Sequence, residues 1–75
     1  MQPDPRSATL AEVVAGSLRQ AFHDGAYACG ERLVELNIAA EMSVSQNTVR
    51  EALRILEGEG WLVKRPRHGV YVRSF

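Results

Sequence analysis

Residues 43–60 read SVSQNTVREALRILEGEG, a stretch with a polar start followed by a regular apolar pattern. Ser45 is a strong helix N-cap, because its side-chain oxygen can accept a hydrogen bond from a free amide of the first turn. The apolar residues recur at the i, i+3, i+4 and i+7 spacing of one helix face: Val49, Ala52, Leu53 and Leu56. The stretch therefore predicts a helix from the Ser45 cap to about Glu57, ended by Gly58 and Gly60.

A second, shorter helix is predicted just before it. LNIAAEM, residues 36–42, has apolar residues at helical spacing, and Glu35 is a candidate cap for this helix. Ser43 and Val44 then form a tight connection to the Ser45 cap. Two short helices joined by about three residues indicate a helix-turn-helix.

Another helix is predicted upstream, over about residues 9–24. Thr9 and Glu12 form the T-x-x-E capping box at its start, and Gly25 ends it because glycine readily takes the left-handed conformation. Its expected apolar stripe is Leu10, Val13, Val14, Leu18, Ala21 and Phe22. Residues 1–8 contain two prolines and no periodic pattern, so we expect a flexible N-terminal arm there.

The pattern becomes β-rich after Gly60. WLVKR and VYVRS are separated by PRHG, in which Pro66 and Gly69 supply turn residues. We therefore predict a mainly α fold with a small β-hairpin (α+β): a winged helix-turn-helix of three helices plus a C-terminal two-stranded wing. This domain is expected to occupy residues 9–75.

Size and charge restrict what such a domain can do. Seventy-five residues form one small domain without room for a large enzyme pocket. The net charge is zero, but residues 1–59 hold nine acidic and five basic residues, whereas residues 60–75 hold four basic and no acidic ones. This asymmetry predicts an anionic partner at one end of the domain.

Other classes of protein find little support in the sequence. Cys29 is the single cysteine and lies in no metal-binding spacing, so we expect a small buried residue in a reducing cytosol. No apolar run approaches the ~18 residues of a membrane span, and no nucleophile–base pairing is evident. We expect a cytoplasmic protein that is not an enzyme and needs no metal or cofactor.

The polar start of the third helix suits the major groove of double-stranded DNA. Gln46 and Asn47 could pair with adenine and Arg50 with guanine, while Ser45 and Thr48 suit phosphate oxygens. The basic wing tip could lie along the backbone or enter the minor groove. The expected DNA-binding residues are Ser45, Gln46, Asn47, Thr48, Arg50, Arg54, Lys64, Arg65, Arg67, His68 and Gly69.

These residues resemble a known family. The pattern G-x-x-L-x-E at Gly30, Leu33 and Glu35, then VS, VREALR and RHGVYV, resembles the N-terminal domain of bacterial GntR-family transcription regulators over about residues 9–73. It looks most like the FadR-type branch.

The resemblance implies a homodimeric repressor or activator that binds a palindromic operator. It also implies that a small-molecule effector acts through a C-terminal domain that this chain does not contain. It carries DNA contact over to Ser45, Gln46, Asn47, Thr48, Arg50, His68 and Gly69.

The chain departs from the family at two places. The family commonly has Arg-Thr-Pro after VS, where this chain has Gln46-Asn47-Thr48, so preference could shift toward A·T pairs. Ser43 stands where relatives often carry glycine, so the turn is expected to form without the usual left-handed residue. An alternative function is therefore a winged helix for protein–protein or dimer contacts with little DNA binding, which the zero net charge favours.

Overall fold

The computed structural model describes residues 9–73, so the predicted flexible arm at residues 1–8 lies outside the described residues. The elements along the described chain are α1 (Leu10–His23), β1 (Arg32–Leu33), α2 (Glu35–Met42), α3 (Gln46–Gly58), β2 (Leu62–Arg65) and β3 (Gly69–Val72). The order confirms the winged helix-turn-helix, and each helix boundary lies within one residue of its prediction.

The sheet has three strands, where the sequence predicted a two-stranded wing. Strand β1 pairs antiparallel with β3, so that Arg32 lies opposite Tyr71, and the spatial order is β1-β3-β2. Hydrogen bonds between Gly30 and Val72 and between Val72 and Glu31, both 2.8 Å, extend the contact. The sequence indicated an extended piece near Arg32 but not its partner, because the two strands are separated by two helices and β2.

The core lies between the three helices and the inner face of the sheet. On α3, Val49, Ala52, Leu53 and Leu56 are all buried, as their spacing predicted. On α1 the predicted stripe is partly wrong: Leu10 and Val13 are each 54% exposed, while Ala11 and Ala15 are buried. Apolar residues surround more than half of α1, so the spacing did not fix the buried face. The small alanines allow α1 to lie close against its neighbours.

Helix caps follow the local sequence at two of the three helices. Thr9 and Glu12 form the predicted capping box, and the Ser45 side chain accepts a 3.1 Å hydrogen bond from the Thr48 amide. The start of α2 differs from the prediction, because its N-cap is Val34 and no side chain caps it. Glu35 is instead the first residue of α2, and its carboxylate points toward α3.

Ser43 takes the left-handed conformation itself, with φ 56° and ψ 44°. The turn therefore forms without glycine, and the serine adopts the left-handed conformation in its place. Its geometry lets the Val44 amide donate to the Ala39 carbonyl at 3.1 Å and closes the end of α2. A serine there costs about 1 kcal/mol that glycine would not.

Cys29 is exposed rather than buried. It lies in the connection between α1 and β1, which the Ala28 amide fastens by donating to the Glu31 carboxylate at 3.0 Å. The neighbours Ala28 and Gly30 are exposed as well, so this turn projects from the core. No helix within residues 9–73 has the length and apolar character to cross a bilayer.

Candidate nucleic-acid interface

The start of α3 presents a row of polar side chains on a rigid support. The exposed members are Ser45, Gln46, Asn47, Arg50 and Arg54. Thr48 is half-buried, and its hydroxyl lies 2.9 Å from that of Ser45, so it reinforces the cap. Since the opposite face of α3 is fully buried, the backbone that carries this row is fixed by the core.

Glu35 connects these side chains across the helix-turn-helix. Its Oε1 accepts a hydrogen bond from Gln46 Nε2 at 3.0 Å and lies 3.4 Å from Arg50 NH2. Arg50 NH1 in turn donates to Asn47 Oδ1 at 3.2 Å. Three of the predicted reading residues therefore belong to one hydrogen-bonded network, which is anchored on the first residue of α2.

The charge of Glu35 is favoured by this environment. The hydrogen bond from Gln46 is the largest cause that lowers the pKa of Glu35, and partial burial opposes it by raising the pKa. The hydrogen bond and positive charge of Arg50, and the more distant charge of Lys64, lower the pKa further. The net direction is downward, so Glu35 is a carboxylate at neutral pH and acts only as a hydrogen-bond acceptor.

Two open grooves flank the exposed face of α3. One lies between the starts of α1 and α3 and is lined by Leu10, Asn47, Thr48, Arg50 and Arg54, with Thr9, Ala11 and Glu51. The other, called here the α3–wing groove, is lined by Glu35, Arg50, Arg54, Glu57 and Lys64, with Leu53 and Val70. Arg50 and Arg54 border both grooves and so form the centre of the candidate interface.

The basic residues of the wing divide between the two faces of the sheet. Lys64 lies opposite Val70 in the ladder, on the side of the buried pair Leu62 and Val72, and it faces the α3–wing groove. Arg65 lies on the other side, where its guanidinium carbon is 5.4 Å from the centre of the Tyr71 ring. The structure thus brings Lys64 toward α3 and directs Arg65 away from it.

The wing tip is a tight turn that exposes Arg67 and His68. Arg67 has φ 68°, so the left-handed position of this turn is occupied by arginine as well as by Gly69, at φ 115°. The His68 amide donates to the Arg65 carbonyl at 3.0 Å, and the Tyr71 hydroxyl donates to the His68 carbonyl at 3.1 Å. These bonds hold the tip with both side chains in solvent.

Arg32 is a basic residue of the wing that the sequence reasoning missed. Its guanidinium lies beside Gly69, where a Cβ atom would come within 2.9 Å of Arg32 Nε. Arg32 is exposed and belongs to β1, which joins the hairpin through Tyr71. The signal available was the short extended piece around Arg32, but its pairing with β3 could not be read from local sequence.

Within residues 9–73, no group of three or more His, Cys, Asp or Glu side chains is placed to hold a metal ion. The residues that line the two grooves offer hydrogen-bonding groups and charges of both signs, with Glu35, Glu51 and Glu57 beside Arg50, Arg54 and Lys64. Exposed amides, guanidiniums and an ammonium group on a docked helix and a hairpin suit an extended anionic ligand with polar edges.

The chain is similar in sequence to known proteins of one family. The model of the family "Bacterial regulatory proteins, gntR family" matches residues 10–72. The chain is 38% identical over 66 residues to the Exu regulon transcriptional regulator of Escherichia coli K12. It is also 35% identical over 57 residues to the HTH-type transcriptional regulator YdhC of Bacillus subtilis. These alignments cover 87% and 76% of this chain but 26% and 25% of the two relatives.

A solved structure shows the same architecture. The crystal structure of a GntR transcriptional regulator from Rhodococcus sp. RHA1 matches with a TM-score of 0.82 and 44% identity, over 85% of this chain and 31% of that one. The chain therefore spans about a quarter to a third of the length of the relatives it matches.

Proposed function

This chain belongs to the gntR family of bacterial regulatory proteins, and we propose that it is the sequence-specific DNA-binding domain of a metabolite-responsive transcription regulator. The family and the named relatives are regulators of transcription rather than enzymes. The narrower assignment to the FadR-type branch stays a prediction. A bacterial regulator of this kind works in the cytoplasm, where the chromosome lies.

The observation that carries the proposal is the two-sided character of α3. One face is buried in the core, and the opposite face presents Gln46, Asn47 and Arg50 from the first turns of the helix. A helix held in this way can insert its N-terminal part into the major groove, where amides and guanidiniums contact base edges. Ser45, Thr48 and the free amides of the first turn suit the adjacent phosphates.

The wing supplies a second contact in this proposal. Lys64 faces the same groove as Arg50 and Arg54, so it suits the DNA backbone next to α3. Arg67 and His68 project from the tip toward a neighbouring backbone segment or the minor groove. Arg65 lies on the outer face with Arg32 and Tyr71, and Gly69 lies beneath the Arg32 guanidinium. Arg65 therefore reaches DNA only if the backbone curves past that face.

The family suggests two further partners, a second copy of the protein and a small molecule. We expect a homodimer on a palindromic operator and a small-molecule effector that binds outside this domain, since the chain spans 26% of the Escherichia coli regulator. The domain boundaries proposed are an N-terminal arm at residues 1–8 and the DNA-binding domain at residues 9–75.

The test is selection of duplex sequences by the 75-residue chain from a randomised DNA library, followed by titration at several salt concentrations. Roughly four to six phosphate contacts would lower the affinity by about a hundredfold or more between 50 and 200 mM salt. Recovery of a shared sequence motif with this salt dependence supports the proposal. Absence of duplex binding at micromolar protein and low salt contradicts it.

The second candidate is a module for protein or dimer contacts with little DNA binding. The exposed apolar residues Leu10 and Val13 on α1, together with Leu36 at 63% exposure on α2, favour it. Sedimentation of the chain across concentrations separates the two candidates. Self-association that Leu10→Ser abolishes, without any duplex binding, would support this second function.

A further inference from the structure

The side-chain amide of Gln46 is held at its nitrogen by the Glu35 carboxylate, which has no proton to donate. Glu35 Oε1 lies 3.0 Å from Gln46 Nε2, and a carboxylate can only accept a hydrogen bond. The amide nitrogen of Gln46 must therefore face Glu35, and the amide oxygen Oε1 is directed elsewhere. The Glu35 side chain is 28% exposed, so this contact lies partly sheltered between α2 and α3.

The orientation of an amide decides which bases it matches. Adenine and cytosine present exocyclic amino groups in the major groove, at N6 and N4, whereas guanine and thymine present the oxygens O6 and O4. An outward amide oxygen accepts from the amino group of adenine or cytosine. It shares no proton with the oxygen of guanine or thymine, which only the second N–H of the amide nitrogen, on the Glu35 side, could contact. An amide oxygen left unpaired in a closed interface is unfavourable.

We infer that Glu35 is a specificity-positioning residue, which fixes the Gln46 amide so that Gln46 selects amino bases over keto bases at the position it contacts. The inference rests on the proposed function, because it concerns how the same helix selects DNA. It also revises the expected shift toward A·T pairs, since the pattern separates adenine and cytosine from guanine and thymine and accepts C·G pairs as well as A·T pairs.

Further contacts keep Glu35 in place for this task. Arg50 NH2 lies 3.4 Å from the same carboxylate oxygen, and Arg50 NH1 donates to Asn47 at 3.2 Å. Glu35 is the first residue of α2, where the positive end of the helix dipole favours a carboxylate. The lowered pKa of Glu35 agrees with this arrangement.

Glu35→Gln is the discriminating variant. It keeps the size of the side chain, but the new amide can either accept from or donate to Gln46, so both orientations of Gln46 become satisfied. Glu57→Gln is the matched control, because Glu57 lines the same α3–wing groove and the same charge is removed. Glu57 is exposed on α3 and has no hydrogen bond to the reading residues within the described chain.

The experiment selects duplexes from a randomised library with the unchanged chain and with Gln46→Ala, Glu35→Gln and Glu57→Gln. The base position at which Gln46→Ala loses its preference identifies the base that Gln46 contacts. At that position we expect the unchanged chain and Glu57→Gln to favour amino over keto bases by roughly fivefold or more. Glu35→Gln should reduce that ratio to within about twofold, while the rest of the motif stays the same.

Several outcomes would overturn the inference while leaving DNA binding established. Glu35→Gln could retain the amino preference, Glu57→Gln could lose it equally, or Gln46→Ala could change no position. If the unchanged chain retains no duplex at low salt, the proposed function itself fails, which is a distinct result.

Thermal unfolding followed by circular dichroism verifies that each variant is folded. The NMR signal of the 15N-labelled side-chain amide of Gln46 should shift in Glu35→Gln but not in Glu57→Gln.

Discussion

Arg50 is the basic side chain at which the two grooves of the candidate interface meet. It lies 3.4 Å from Glu35 and donates to Asn47, but its side chain is 45% exposed. Ion pairs this exposed contribute little to stability, but the guanidinium carries five N–H donors and can contact DNA while it stays beside Glu35. The guanidinium is oriented by these contacts but held only loosely, and it therefore suits a bidentate contact with guanine.

Arg50→Ala tests this role. We expect a loss of about 1–3 kcal/mol on the selected duplex and relaxed preference at one base position, with folding stability nearly unchanged. Fluorescence anisotropy with the selected and a scrambled duplex measures both affinities, and Arg54→Ala serves as a comparison one turn further along α3. Equal losses on both duplexes would instead make Arg50 a phosphate contact.

Gly69 and Gly58 differ sharply although both are glycines, one at the wing tip and the other at the far end of α3. Gly69 has φ 115°, and an added Cβ would come within 2.9 Å of Arg32 Nε, whereas Gly58 is the last residue of α3 with open space around it. Gly69→Ala should destabilise the fold by about 1–3 kcal/mol through backbone strain. Gly58→Ala should stabilise it by about 0.4–1 kcal/mol, because alanine loses less conformational entropy in a helix.

Thermal unfolding of the two glycine variants gives the comparison directly. For a domain of this size, 1 kcal/mol corresponds to a shift of roughly 4–8 °C in Tm. We expect Tm to fall for Gly69→Ala and to rise for Gly58→Ala. A neutral Gly69→Ala would mean that the wing tip can adopt a different backbone conformation.

At the scale of elements, α3 depends on its first turn for two separate purposes. Ser45 caps the helix by accepting from the Thr48 amide at 3.1 Å, and the same hydroxyl suits a DNA phosphate in the proposed complex. Ser45→Ala and Ser45→Asp separate these purposes. Alanine should cost about 1 kcal/mol of stability, whereas aspartate is as good an N-cap as serine.

DNA affinity should respond to the two Ser45 variants in the opposite order. The aspartate carboxylate would face phosphate, so we expect Ser45→Asp to fold normally and to bind duplex at least about tenfold more weakly than Ser45→Ala. Chemical denaturation and anisotropy titrations measure the two quantities. Full DNA affinity in Ser45→Asp would place the helix start away from the backbone.

The wing illustrates how one element can carry its charges in two directions. Strand alternation places Lys64 toward the α3–wing groove and Arg65 toward Tyr71 on the outer face. Strand β1 adds Arg32 to that outer face, because Arg32 lies opposite Tyr71 of β3. The three neighbouring basic residues of the hairpin, Lys64, Arg65 and Arg67, therefore do not form a single positive patch.

For the whole molecule, the proposed DNA contact depends on local charge rather than on net charge. The net charge is zero, and the surface far from the interface carries the acid–base pair of Arg19 and Glu59, joined by two hydrogen bonds of 2.9 Å. Glu59 caps the far end of α3, about 20 Å from Ser45 along the helix. Charges separated by more than a Debye length of about 8–10 Å are largely screened.

This separation gives a prediction for salt dependence. Lys64→Ala should reduce the slope of log affinity against log salt by about one, because one phosphate contact is lost. Arg19→Ala removes the same charge on the distant side and should leave the slope unchanged, with a stability loss of up to about 1 kcal/mol. Equal changes in slope would mean that overall charge, not a localised contact, drives binding.

The sequence by itself determined the features that depend on neighbours within one or two turns. The capping box at Thr9, the Ser45 cap, the buried face of α3 and the ends marked by Gly25 and Gly60 all arise from local hydrogen bonding and helical spacing. The hairpin followed from β-rich runs around turn residues. These signals suffice because each interaction joins residues close together in the chain.

Only the tertiary structure decided which distant residues meet. Strand β1 pairs with β3 across two helices, Glu35 contacts Gln46 and Arg50 instead of capping α2, and Cys29 is exposed. The apolar pattern of α1 allowed several buried faces, and packing selected the one with Ala11 and Ala15. Such contacts depend on the relative placement of whole elements, which one-dimensional spacing does not encode.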